Sequence, residues 1–169
     1  MIYLIWLLRI IHIVSGVFWV GSTLMMAFFI APTVGATGEA GQKFIGHLMN
    51  NLKFSNRMST AAGLTVLAGL ILYGLDARAG AAWLRSSFAI GLGIGAVFAV
   101  IGLIFGILVG RTTKAMTELG AQFQGPPSSQ QMMQMQSLRN RQASYARTSA
   151  GMLIIATIFM AIARYLGQV

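Results

Sequence analysis

Four stretches of the chain are apolar for long enough to matter, and they organise everything else. Crossing about 30 Å of hydrocarbon takes about 20 largely apolar residues; such runs lie at about residues 2–30, 58–75, 87–110 and 148–166. Each predicts a membrane-spanning helix, because a helix satisfies its own backbone polar groups where water is absent. The first run lacks a basic leader and a small-x-small cleavage site, so it reads as a retained helix, ended by Pro32, rather than a signal peptide. The expected fold is all-α: one integral membrane domain over residues 1–169, a polytopic four-transmembrane-helix bundle.

Between the runs the pattern changes. Thr37 is placed to cap a helix through about Asn56, with Phe44, Leu48 and Leu52 at four-residue spacing and Lys43 and Lys53 on other faces. That predicts an amphipathic interfacial helix. Farther on, Ala115, Leu119 and Phe123 continue the period of the third span beyond Arg111. After Gly125-Pro126-Pro127, the mostly apolar stripe Met132, Met135, Leu138, Gln142, Tyr145 leads into the fourth span. A cytoplasmic helical hairpin follows, its second arm capped by Ser128 or Ser129.

Composition agrees with lipid as the main solvent. Apolar residues make up 56% of the 169 and charged residues 9%, against about 25% charged in a soluble domain. The net charge of +9 therefore points to loops and anionic headgroups, not to nucleic acid. Lys43, Lys53, Arg57, Arg111, Lys114, Arg139, Arg141 and Arg147 fall in the first and third loops; Arg78, Arg85 and Arg164 lie on the opposite side. By the positive-inside rule both termini are outside. Arg9 lies within the first run, near its outer end.

Candidate chemistry is sparse. The chain has no cysteine, which excludes disulfides, iron–sulfur ligation and c-type haem attachment. Its acids are Glu39 and Glu118 in loops and Asp76 at a helix end, which disfavours a carboxylate relay through the membrane. Neither a Walker loop, a His-Glu-x-x-His helix nor a nucleophile elbow is present. Trp6, Trp83, Tyr3, Tyr165 and Tyr145 form an aromatic belt at the span ends.

What remains is one face of the first span: Arg9, His12, Ser15 or Gly16, Trp19, Thr23 and Met26, three or four residues apart. Intramembrane His and Arg favour a bundle interior or cavity, and a neutral imidazole there suits axial ligation of haem b. Arg9, about 4.5 Å farther out along the helix axis, stands where a propionate points; Trp19 supplies a pocket wall. Met160, about 9 Å inside the outer end of the fourth span, is a candidate second ligand, and Arg164 repeats the offset of Arg9 from His12. Five-coordinate haem through His12 alone is the alternative. The same residues also admit a structural reading in which His12 donates to a backbone carbonyl or to Ser15, Arg9 snorkels to headgroups, and Trp19 and Met160 are core. His47 lies beyond the inner end of the first span, at least about 28 Å from His12, and cannot share its haem. Met132, Met133 and Met135 suit Cu(I) by their sulfur, or simply a flexible hairpin contact. Gly91, Gly95, Gly102, Gly106 and Gly110 let another helix approach the third span, within the bundle or in a homo-oligomer.

The run Leu7-Leu8-Arg9-Ile10-Ile11-His12-Ile13 followed by Trp19-Val20-Gly21 resembles the first-helix signature of the copper-resistance-D-like membrane proteins and related bacterial families. More distantly it is similar to the four-helix membrane type of protoporphyrinogen oxidase. Ala62 to Gly74 is similar to the second helix of these proteins. The resemblance implies a haem pocket at the first-helix histidine and a bacterial inner membrane. The oxidase type has a lysine after a Trp-Leu pair, whereas Trp83-Leu84 here precedes Arg85, Ser86, Ser87 and Phe88. The expected function is haem-linked electron transfer or redox chemistry. Its alternatives are a cofactor-free accessory subunit of a larger membrane complex and a copper- or metal-handling membrane protein.

Overall fold

A computed structural model describes residues 2–123 and 125–166. It is all-helical among those residues, and four helices are long and apolar enough to cross a membrane: Ile2–Ala36, Phe54–Ala77, Ser87–Ala121 and Ser129–Tyr165. We call them the first to fourth long helices. The first packs extensively on the second and the third on the fourth; narrower first–fourth and second–third seams close the bundle.

The interior is built from small side chains. Ala61, Ala62, Ala68, Ala89, Ala150, Ala156 and Ala163 are buried, as are Gly91, Gly95 and Gly102. Of the large apolar residues, Trp19 (4% exposed) and Leu153 (1%) join that core, whereas Ile10 (59%) and Val17 (69%) point outward. A soluble core would show the reverse. Small residues inside and large ones outside are what lipid favours: it offers no penalty for exposed Leu or Ile, and helices gain by close backbone approach. The chain is a small integral membrane protein.

Seam geometry follows from the glycines. A Cβ at Gly102 would lie 2.9 Å from Leu153 Cγ, one at Gly95 3.0 Å from Met160 Cγ, and one at Gly91 3.2 Å from Ala163 Cα. These three face the fourth helix, while nothing lies within 4 Å of Gly110. Ser149 Oγ donates to Gly102 O at 2.8 Å across the same seam, and Gln142 Nε2 donates to Thr113 Oγ1 at 2.7 Å near its far end. Most other hydroxyls, such as Thr23 on Trp19 O and Thr157 on Leu153 O, donate to the carbonyl four residues back. They thereby need no partner from lipid.

Two local expectations are corrected. Pro32 does not end the first helix, which continues to Ala36. Its ring crowds the carbonyl four residues back, and a π-turn at Met26–Ile30, with Ala31 N–H donating to Met26 O, widens the helix just before it. Pro32 thus sits in the first turn of a new segment, where it is tolerated. Nor does one helix run from Thr37 to Asn56. Thr37 Oγ1 donates backward to Thr33 O instead of capping, Gly38 takes φ +57°, and the following helix covers only Gly38–Gly46. A π-turn at His47–Asn51 and a break at Leu52-Lys53 precede Phe54, so Asn56 belongs to the second long helix. Between the third and fourth long helices, Ser128 is the cap of the fourth: its Oγ accepts from Gln131 N–H, and Gln131 Oε1 accepts from Ser128 N–H.

Candidate functional site

The antiparallel pairing of the first two long helices brings His12 against Thr65 and Gly69. His12 Nδ1 lies 2.7 Å from the Thr65 carbonyl oxygen. A carbonyl only accepts, so Nδ1 carries the hydrogen, and in the neutral ring Nε2 keeps its lone pair. That carbonyl is also the helical acceptor for the residue four positions on, Gly69. A Cβ at Gly69 would stand 2.7 Å from His12 Cε1 and 2.9 Å from Nδ1. Glycine at this one position opens the carbonyl to the imidazole.

One turn along, Ser15 and Thr65 form a hydroxyl pair, Oγ to Oγ1 at 2.8 Å. Ser15 also reaches Ile11 O, and Thr65 reaches Ala61 O at 2.8 Å. Two hydroxyl hydrogens thus serve three contacts, so one contact lacks a hydrogen at any instant. Below this pair, Trp19 packs with Ala61, Ala62 and Leu153. The site has a buried floor at Trp19 on one side and a half-buried imidazole on the other.

Among the described residues no buried side-chain nitrogen or oxygen lacks a partner, and His12 makes its one hydrogen bond through Nδ1. The unpaired Nε2 is therefore on accessible surface. A metal-ligating histidine characteristically donates its other N–H to a carbonyl, which fixes both tautomer and ring orientation. His12 has that arrangement, one ring nitrogen fixed on a carbonyl and the other without a hydrogen-bond partner, so its donor chemistry would suit a single imidazole ligand to haem.

The other site residues are arranged less tightly. Arg9 and Arg164 are exposed, and the ion pairs among the described residues, Lys43–Glu39 and Lys114–Glu118, engage neither. Trp19 and Leu153 lie in one cluster; His12 and Met160 each lie seven residues, about 10 Å, from them toward the same end. Met160 thus matches the depth of His12, but its side chain lies against Gly95. Its neighbour is the third helix, while the partners of His12 are on the second. His47 is exposed, as are Met132 and Met133, and among the described residues no three His, Cys, Asp or Glu side chains cluster as a metal site would need.

Sequence reading missed Thr65 and Gly69. Their signal is the run Ala61, Ala62, Thr65, Ala68, Gly69, a small-residue stripe at helical spacing. We expect Gly69→Ala to cost about 1–2 kcal/mol, because the displaced ring strains its neighbours and loses a hydrogen bond, despite alanine's better helix propensity. Gly74→Ala on the same helix, with nothing within 4 Å, should instead gain about 1 kcal/mol. Equilibrium unfolding in detergent distinguishes the two signs.

Compared with known protein families, with curated proteins and with solved structures, the chain has no match in any of the three.

Proposed function

We propose that this integral membrane protein binds haem b through His12 and serves electron transfer or haem-linked redox chemistry. The observation that carries the reading is the His12 imidazole, held through Nδ1 on the Thr65 carbonyl, with Nε2 unpaired. Haem would supply a one-electron iron couple whose potential depends on its ligand and on local polarity. The chain's own part is to fix the tautomer, orient the ring through Gly69, and close the protein side of the site with Trp19. Arg9 and Arg164, near the N-terminal end of the first helix and the C-terminal end of the fourth and without carboxylate partners among the described residues, are assigned to the propionates. His12 is the donor that the present packing offers; Met160 becomes a second ligand only by leaving Gly95.

The resemblance of the first helix to haem-associated bacterial families supports the same reading. In this proposal the Lys- and Arg-rich ends face the cytoplasm, the segment Gly38–Gly46 lies at the membrane interface, and the ends of the third and fourth long helices project as a cytoplasmic hairpin. One observation favours the accessory-subunit reading: Met132 (56% exposed) and Met133 (67%) stand uncovered on that hairpin, a surface adaptable enough for a partner. An absorption spectrum of the purified, detergent-solubilised protein, oxidised and dithionite-reduced, separates the two. A Soret band with reduced α and β bands is expected; their absence after expression with ample haem overturns the proposal and leaves the accessory reading.

A further inference from the structure

A groove of about 760 Å³ runs along the outer side of the first two long helices, walled by Ile10, Val14, Phe18 and Leu64 and reaching Lys53 and Arg57 at one end. His12 is not among its walls, although Ser15 and Ala61 border both the groove and the His12 seam; the lipid reading needs no haem. We propose that it binds one anionic glycerophospholipid, an acyl chain lying in the groove and the phosphate held by Lys53 and Arg57.

Length, charge and backbone agree on this occupant. From Lys53 to Leu64 the second helix rises about 17 Å, close to the hydrocarbon depth of one leaflet, about 15 Å. At the end of the groove stand two cations, Lys53 just before the second helix and Arg57 in its first turn, where an anion would offset their charge. No Asp or Glu among the described residues serves that purpose: Glu39 pairs with Lys43, Glu118 with Lys114, and Asp76 is nineteen residues beyond Arg57, about 28 Å along the helix. The helix start itself carries no side-chain cap and no acid in its first turn, so its free N–H groups also favour an anion. Lys53 holds φ +50°, a conformation that glycine adopts more easily. Lys53 nonetheless borders the groove, in a turn that glycine would suit.

The test uses the full chain reconstituted in dioleoylphosphatidylcholine vesicles, with trace phosphatidylglycerol or phosphatidylcholine spin-labelled on the acyl chain. Electron paramagnetic resonance reads the motionally restricted fraction. The wild type should prefer phosphatidylglycerol, and Lys53→Gly/Arg57→Gln should lower that preference about fivefold or more. Because glycine suits position 53, this variant should unfold no more easily than wild type. Arg139→Gln/Arg141→Gln, which removes equal charge elsewhere, should leave the preference intact. Val14→Trp/Leu64→Trp, filling the groove, should remove the restricted lipid while both cations remain. A preference unchanged in the Lys53/Arg57 variant, one lost equally in the Arg139/Arg141 variant, or a restricted fraction that survives groove filling overturns the proposal.

Discussion

His12→Ala is expected to abolish the Soret band of the purified protein while leaving a folded, membrane-inserted chain. The reasoning separates ligand loss from fold loss. His12 contributes one interhelical hydrogen bond, to Thr65 O, worth about 1 kcal/mol or less in a membrane. Its ring lies over Gly69, so truncation opens a small half-exposed space rather than a core cavity. The Ser15–Thr65 pair and the Trp19, Ala61, Ala62, Leu153 cluster remain to hold the two helices together. The iron, by contrast, would lose its only protein donor with a free lone pair at this seam. Haem-to-protein ratio and visible spectrum should fall to background, whereas the circular dichroism melting midpoint moves by only a few degrees. A Soret band that persists unchanged in His12→Ala would falsify His12 as the ligand.

Gly102→Leu should produce the largest loss of stability, about 3–4 kcal/mol, from overpacking and a broken buried hydrogen bond together. The first added carbon already meets Leu153 Cγ and Cδ2 at 2.9 Å and Ser149 O at 3.4 Å. Three further carbons force the third and fourth helices apart, which stretches the 2.8 Å bond from Ser149 Oγ to Gly102 O. Leu153 cannot yield outward, because it is 1% exposed and packed with Trp19, Ala61 and Ala62. The strain therefore reaches the opposite helix pair. Gly110→Leu, on the same helix but facing open space, should not lower the midpoint of thermal unfolding and should raise it by a few degrees through helix propensity. Similar losses from both substitutions would show that the third helix carries a second contact face at Gly110.

The boundaries show where local information ends. Pro32 reads as a stop because its missing N–H and bulky ring oppose a regular helix, but a π-turn just before it removes that conflict. The interfacial stripe Phe44, Leu48, Leu52 reads as one helix because its period is regular; the π-turn at His47–Asn51 and the left-handed Lys53 interrupt it. Both are backbone adjustments of one residue or less per turn, too small to leave a mark in hydrophobic periodicity.

The candidate site divides similarly. That Arg9, His12, Ser15 and Trp19 share a face was legible, since helical spacing alone places them there. That His12 donates to a backbone carbonyl was one of two readings open from the residues, and the carbonyl is that of Thr65. The second reading, ligation, concerns the other ring nitrogen and is compatible with it.

By itself the sequence determined the solvent and the span number, because run length against bilayer thickness is a local comparison requiring no partner. It also pointed to a close-packing glycine face on the third helix, which holds for Gly91, Gly95 and Gly102 but not for Gly110. Only the tertiary structure decided what those faces meet. Thr65 and Gly69 come to His12 from more than fifty residues away, Met160 turns to Gly95 rather than toward His12, and Lys53 and Arg57 end a groove whose other wall is the first helix. In lipid the physical reason is general: apolar side chains face chain interior and bilayer with almost equal free energy, so hydrophobicity selects no partner. Rotation and pairing are set by a few small residues and interhelical hydrogen bonds, which the sequence contains but cannot pair.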